Sequence, residues 1–163
     1  EGKIVVALNY GGDEKAEFYT YAAVRLFDFY YWYSTPDLAS ISEAKVLKVD
    51  LGDPLDEHKK VGNVYFRTYS KGLVILNPSD ESSEVSLRVP QNVTKLTDLR
   101  TGKVYTVQDG SLTLEVGPQD GVVLLYGEIE VKGDNSLYFL AGSAIAIALF
   151  LTLFLLKRRR VLG

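Results

Sequence analysis

Nine of the chain's 19 aromatic residues crowd between Phe18 and Tyr33, and the chain's one Trp, Trp32, is among them. Sugar rings present apolar C–H faces that stack on Trp and Tyr, while their edges need polar partners. Trp32 and Tyr33 are therefore candidates for carbohydrate contact. The plainer reading is that these aromatics fill a core and a helix interface; Tyr suits both, because its hydroxyl can reach water. Other chemistries are excluded by residue type. There is no Cys, hence no disulfide scaffold, no thiolate nucleophile and no Cys-based zinc site. The single His58 lies in the charged, loop-like stretch Asp56-Glu57-His58-Lys59-Lys60, where a solvated side chain is expected rather than a metal ligand or a catalytic base. No metal or cofactor site is assigned. Asn92-Val93-Thr94 fits the N-glycosylation pattern on an expected loop, a short pattern that chance often supplies.

The elements that must position the aromatics are legible from periodicity. Residues 3–9 are a compact apolar run, read as a buried strand. Gly11-Gly12 breaks it, and Asp13 is placed to cap a helix of about a dozen residues, with Glu14 favourable in its first turn. Phe18, Tyr21, Ala22, Val24 and Leu26 give that helix an apolar face. Tyr30-Tyr31-Trp32-Tyr33 is strand-prone and stops at Ser34-Thr35-Pro36. Strand, helix, strand makes one βαβ unit, which needs a parallel sheet around it. Alone, it cannot bury both faces of its strands, so residues 1–50 read as part of something larger.

From Val64 the period changes to two. Strands are expected at Val64–Tyr69, Leu73–Leu76, Val85–Val89, Lys95–Leu99, Lys103–Val107, Leu112–Val116 and Val122–Tyr126. Turns are expected at Lys71-Gly72, Thr101-Gly102, Asp109-Gly110 and Asp120-Gly121. Leu73 to Leu76 is apolar on both faces, as in a central strand, and Asn77-Pro78 ends it because Pro has no N–H for the ladder. Arg67 either pairs with an acid across the sheet or points to solvent. Seven short strands of this spacing over 51–127 predict an antiparallel β-sandwich.

Residues 137–156 form an uncharged run of 20, twelve of them Leu, Ile or Phe, followed at once by Lys157-Arg158-Arg159-Arg160. Twenty helical residues reach about 30 Å, one hydrocarbon core. The run is therefore expected to be a transmembrane helix in membrane lipid, with 157–163 a basic cytoplasmic tail and 128–136 a short linker. A buried core helix would need the polar stripe that this run lacks. Gly142, Ala146, Ala144 and Ala148 offer small-xxx-small pairs for packing of two spans, or serve simply as lipid-facing filler. The orientation expected is single-pass at the cell membrane, with 1–136 extracellular; a tail anchor would put the basic cluster on the other side. An outside N-terminal part calls for a secretion signal, and the chain opens Glu1-Gly2-Lys3 without one, so it reads as the C-terminal piece of a longer secreted protein. All 21 acidic residues precede the run, against 14 basic ones, a net charge of −7. That excludes nucleic acid as a partner, which needs clustered Lys and Arg.

Val49-Asp50-Leu51-Gly52-Asp53-Pro54-Leu55, and then Val64-Tyr65-Phe66-Arg67-Thr68-Tyr69-Ser70-Lys71-Gly72-Leu73-Val74-Ile75-Leu76-Asn77-Pro78, resembles the barrel-to-sandwich junction of glycoside hydrolases. In that group the first stretch ends a (β/α)₈ barrel and the second is a hairpin opening a C-terminal β-sandwich. Asp98-Leu99-Arg100-Thr101-Gly102 and Pro118-Gln119-Asp120-Gly121-Val122-Val123-Leu124-Leu125 are similar to the end of that sandwich, which also recurs behind amylase-like barrels. The resemblance covers roughly residues 45–126, and more loosely 3–35 as the last barrel elements.

The resemblance implies the chemistry of glycosidic cleavage, which needs two carboxyl groups about 5–10 Å apart. In a barrel they stand at the C-terminal ends of strands. Here those ends are Asn9-Tyr10 and Tyr33-Ser34, and neither is acidic. Asp13 is better explained as a helix cap, and Asp28 precedes the second strand. No catalytic residue is assigned, and the acids of a parent enzyme are expected upstream. Asn9, Trp32 and Tyr33, at the strand ends where a barrel binds substrate, are the substrate-contact candidates. The fold class expected is mostly β: an antiparallel β-sandwich preceded by a partial βαβ unit and followed by one transmembrane helix. The function expected is the C-terminal part of a surface-anchored, glycoside hydrolase-like protein whose sandwich is structural. The main alternative is a non-enzymatic surface or adhesion module whose sandwich does the binding. A receptor signalling through its tail is third, since seven residues make no domain.

Overall fold

The structure, a computed structural model, describes residues 5–9, 13–33 and 45–127. Strand β1 (Val6–Asn9) and strand β2 (Tyr30–Tyr33) pair in parallel, joined through helix α1 (Glu14–Phe27). Asp13 starts the helix: its backbone is extended and its carboxylate accepts the Ala16 N–H at 2.7 Å. Asp28 ends it in the left-handed region at φ 56°, with its N–H on the Val24 carbonyl. Phe18, Tyr21, Ala22 and Leu26 recur at helical spacing and form the buried face.

From residue 59 the chain is built of short strands. Strands β3 (Lys59–Val61), β4 (Val64–Thr68), β5 (Gly72–Asn77), β7 (Lys95–Asp98), β8 (Val104–Thr106) and β10 (Asp120–Tyr126) make one antiparallel sheet in the order β3-β4-β5-β10-β7-β8. Strands β6 (Ser83–Arg88) and β9 (Ser111–Val116) pair as a second sheet. β5 and β10 are central, with Ile75 opposite Val122 and Val74 opposite Val123. Successive residues point to opposite faces, so each central strand feeds two cores. Leu73, Ile75, Val122 and Leu124 meet Val85, Leu87, Leu112, Leu114 and Val116 of the small sheet. Val74, Leu76, Val123 and Leu125 meet α1 instead. The result is helix on sheet on sheet.

The antiparallel β architecture agrees with the sequence pattern, and four details differ. β3 replaces the expected loop; its three exposed residues show no alternation, and the hairpin at Gly62, φ 57°, is what pairs them with β4. Asp120-Gly121 begins β10, while the turn is taken by Gln119 at φ 45°. Gly72 also lies in a strand: a Cβ there would sit 2.5 Å from the Leu124 carbonyl oxygen, so close approach explains this glycine. The fourth difference is a correction to the fold class. The expected transmembrane helix is not supported, because among the described residues no helix is long and apolar enough to cross a membrane. α1 has 14 residues, about 21 Å of rise, and carries Glu14, Lys15, Glu17 and Arg25. The expected linker 128–136, span 137–156 and tail 157–163 lie outside the described residues.

Candidate functional site

The parallel register sets the candidate site. Asn9 is paired with Tyr33 and Leu8 with Trp32, so all three candidate residues stand at the C-terminal ends of adjacent strands. β1 leads from that end into α1, which puts the Asp13 cap on the same side in chain order. Asp13 is committed to the Ala16 N–H there. Asp28 lies at the opposite end, before β2, and its carboxylate pairs with Arg67 at 2.7 Å.

What holds this unit in place is a polar and aromatic clamp on α1. β4 presents Tyr65 and Arg67, and the residue after it Tyr69, to the helix side of the large sheet. Arg67 is buried; it donates to the Asp56 carbonyl at 2.8 Å, the Arg25 carbonyl at 3.2 Å and Asp28 Oδ1. The Tyr69 hydroxyl donates to the same Arg25 carbonyl at 2.5 Å. Two donors thus satisfy a carbonyl that the helix end leaves without an internal partner, and a cation sits at the negative end of the helix dipole. Burial pushes the Tyr69 phenol above its ordinary pKa, and the Tyr21 phenol likewise. Arg25 lies over the Tyr69 ring, 4.9 Å from its centroid.

The other half of the helix is seated on bare backbone. A Cβ on Gly121 would lie 2.3 Å from the Phe18 carbonyl oxygen. Beside it, Arg100 grips Asp120 with two bonds of 2.7 Å and covers the Phe18 ring at 5.5 Å. The Asp120 carboxylate holds the Arg100 guanidinium above its ordinary pKa. The stretch after the 3₁₀ turn Lys45–Lys48 is stapled to the β4–β5 corner. The Lys71 N–H donates to the Leu51 carbonyl at 3.0 Å, and the Ser70 N–H to the Asp53 carbonyl at 2.9 Å. Gly52, at φ 71°, lets the Ser70 side chain lie against it. The Lys71 ammonium pairs with Asp50 and lowers that carboxyl's pKa.

Arg67, Tyr69 and Gly121 were not singled out by sequence as positioning residues. The available signal was that Tyr65, Arg67 and Tyr69 alternate with Val64 and Phe66, which marks β4 as covered on both faces. His58 is exposed, with its ring edge toward Phe27 at 4.8 Å. Among the described residues no group of three or more His, Asp or Glu side chains is arranged to hold a metal ion.

No protein-family profile matches the chain. Over 59 residues it is 37% identical to an amylopullulanase of Thermoanaerobacter thermohydrosulfuricus, a match that takes in 34% of this chain and 4% of that protein. Its fold resembles that of alpha-galactosidase I from Mortierella vinacea, with TM-score 0.51 and 12% identity over 71% of this chain and 36% of that one. A GH27 β-L-arabinopyranosidase from Geobacillus stearothermophilus gives 0.51 and 15%, covering 76% of this chain and 32% of the other. A GH30 endoxylanase from Clostridium papyrosolvens C71 gives 0.50 and 16%, covering 77% and 42%. The structural neighbours are glycoside hydrolases, and the chain spans 32% to 42% of the length of these three. At such identities the likeness is one of fold.

Proposed function

We propose that this chain is the C-terminal part of a carbohydrate-active, glycoside hydrolase-like protein, in which the β-sandwich is structural and the β1–α1–β2 unit faces the sugar. The observation that carries this reading is the parallel pairing of β1 with β2, with Asn9 opposite Tyr33 and Trp32 beside them at the strand ends. In α/β folds ligands bind outside the carboxyl ends of parallel strands. The roles follow from residue type. Trp32 and Tyr33 each offer a ring of the kind that stacks on the apolar face of a sugar, and Asn9 offers an amide of the kind that meets a hydroxyl at its edge. The sandwich's contribution is to anchor α1, and through it the two strand ends, by the Arg67 and Gly121 contacts. The likeness of fold to glycoside hydrolases supports the same reading. No residue of this chain is assigned as acid or nucleophile.

Trp32 is the only Trp, so its emission reports directly on the proposed site. Oligosaccharides of galactose, arabinose, xylose and glucose, titrated in turn, are expected to quench or blue-shift it for at least one sugar. Tyr33→Ala should weaken that response about tenfold, the loss of one aromatic contact of about 1.4 kcal/mol. A flat emission signal across the panel, with sugar binding retained by residues 51–127 alone, would move the binding role to the sandwich and overturn the proposal. Glycoside turnover by the chain itself, abolished by Asp13→Asn or Asp28→Asn, would show that a catalytic acid had been overlooked.

A further inference from the structure

The motif Asn92-Val93-Thr94 lies on the connection that carries the chain from β6 in the small sheet to β7 in the large one. This connection is pinned along its length. The Val89 N–H donates to the Gly110 carbonyl at 3.1 Å, and the Val107 N–H to the Thr94 carbonyl at 2.9 Å. The Val93 N–H donates to the Pro90 carbonyl at 2.9 Å, which closes a β-turn with Asn92 at its third position. Val89 and Val93 are buried in the sandwich core, while Gln91, Asn92 and Thr94 are exposed. The apolar residues hold the loop, and its polar side chains are presented outward at fixed positions.

The chain contains a second match to the same spacing, Asn77-Pro78-Ser79, and the fold treats it in the opposite way. Asn77 is fully buried. Its Nδ2 donates to the carbonyls of Glu81 at 2.8 Å, Val116 at 3.1 Å and Gly117 at 2.8 Å, and its Oδ1 accepts from the Ser79 N–H and hydroxyl. That amide is consumed by the fold, and proline occupies the position where the acceptor pattern forbids it.

The structure assigns Asn92 as an acceptor of N-linked oligosaccharide, carried to it on a polyprenyl diphosphate by a membrane-bound transferase. In the transfer a bond forms between Asn92 Nδ2 and the anomeric carbon of the first sugar. The anomeric C–O bond to the diphosphate breaks, the diphosphate leaves with the bonding electron pair, and the amide gives up one proton. The inference is independent of the carbohydrate-contact proposal above, since it concerns sugar attached to the sandwich and not sugar bound by β1 and β2. It assigns the sandwich to the non-cytoplasmic side of a membrane. The glycan would project near the start of β7, where the Gly127 N–H meets the Lys95 carbonyl.

Trypsin isolates the site cleanly, because Arg88 and Lys95 bracket a seven-residue peptide with Asn92 as its only Asn. The full chain is directed by a secretion signal through a host that glycosylates Asn-x-Ser/Thr, and the peptides are read by mass spectrometry. The 89–95 peptide is expected to carry glycan, and amidase release in heavy-oxygen water to leave a labelled Asp at 92. The peptide containing Asn77 should carry none. Asn92→Gln and Thr94→Ala should each lower occupancy at least tenfold, while Thr94→Ser retains it. Asn92→Gln is exposed and should fold normally, so its loss of glycan reads the site alone. An unmodified 89–95 peptide, in a preparation whose host glycoproteins are occupied, overturns the assignment. So does glycan that persists in Asn92→Gln.

Discussion

The two faces of the large sheet are built on different rules. The face toward β6 and β9 is closed mainly by buried aliphatic side chains, Leu73, Ile75, Leu87, Leu96, Leu112 and Leu124 among them, with Phe66 its one buried aromatic among the described residues and Tyr105 and Tyr126 packed at its margin. The face toward α1 is closed by Val74, Leu76, Val123 and Leu125, but also by Tyr21, Tyr69, Arg67 and a bare Gly121. Aliphatic closure is non-directional and tolerates small adjustments. The helix face adds directional bonds at both halves of α1, and these fix where the helix lies along the sheet. Both faces bury apolar side chains, and the helix face adds the bonds that set position, which is what the proposed site at the ends of β1 and β2 requires.

Removing one face entirely is the strongest way to break this comparison. We propose that residues 51–127 form a domain by themselves. Expressed alone, they should unfold cooperatively and keep slow amide exchange at Leu73–Leu76 and Val122–Tyr126. They should also lose a large part of their stability, because Val74, Leu76, Val123 and Leu125 become exposed at about 1.5–3 kcal/mol for each side chain fully unburied. A dye that binds apolar surface should report that face. If the same amides exchange freely until residues 1–50 are restored, the boundary near Leu51 is misplaced and the helix face is as essential to stability as the sandwich face.

Single substitutions separate the faces more finely. Leu124→Ala empties a fully buried position on the sandwich side and should cost about 2–5 kcal/mol in denaturant unfolding, with no change in Trp32 emission. Gly121→Ala acts on the other side. Its new methyl would meet the backbone of Phe18 and Tyr19, which cannot swing away as a side chain can. A smaller cost, about 1–3 kcal/mol, is expected from such overpacking. The distinguishing readout is Trp32 emission, which should shift because β2 follows α1. An unchanged emission in Gly121→Ala would mean that the helix seat does not position the strand ends.

These assignments differ in how visible they were in the amino-acid sequence. Leu73 to Leu76 and Val122 to Leu125 are apolar at every position, and such runs signal strands covered on both sides. The cap at Asp13 and the left-handed Asp109-Gly110 turn follow from local chemistry and were equally open. β3 was hidden because an exposed edge strand with the sequence Lys59-Lys60-Val61 has no burial pattern of its own. The sequence marks Gly121 as a turn residue, because glycine after Asp is the usual hairpin signal; its actual constraint comes from Phe18, about a hundred residues away in sequence. Arg67 shows the same limit: its partners, Asp28 and the Arg25 carbonyl, are defined only once the helix is docked. At the candidate site the sequence located Asn9, Trp32 and Tyr33 at strand ends, and pairing register is the tertiary fact it lacked.

The smallest expected effect concerns a tyrosine on each face. Tyr126 packs against the sandwich core with its hydroxyl buried and without a hydrogen-bond partner, and burial, aided by Asp56, pushes its pKa up to about 12. Tyr69 on the helix face has its hydroxyl bonded to the Arg25 carbonyl. Tyr126→Phe removes an unsatisfied group and should leave stability at pH 7 unchanged or raise it by up to about 1 kcal/mol. Tyr69→Phe removes a made bond and should lower it by about 0.5–1.5 kcal/mol. The pH dependence has a definite sign. An unfolded phenol releases its proton near pH 10, whereas folded Tyr126 keeps it to about 12. In that window the unfolded state binds fewer protons, so stability falls as pH rises. Urea unfolding followed from pH 9 to 12 should show this loss in the parent chain and a shallower one in Tyr126→Phe. Tyr21 and Tyr69 retain part of the slope, because burial raises their pKa values too. An identical slope in the variant would mean that water reaches the Tyr126 hydroxyl, and that the sandwich face is not the dry aliphatic layer that distinguishes it from the helix face.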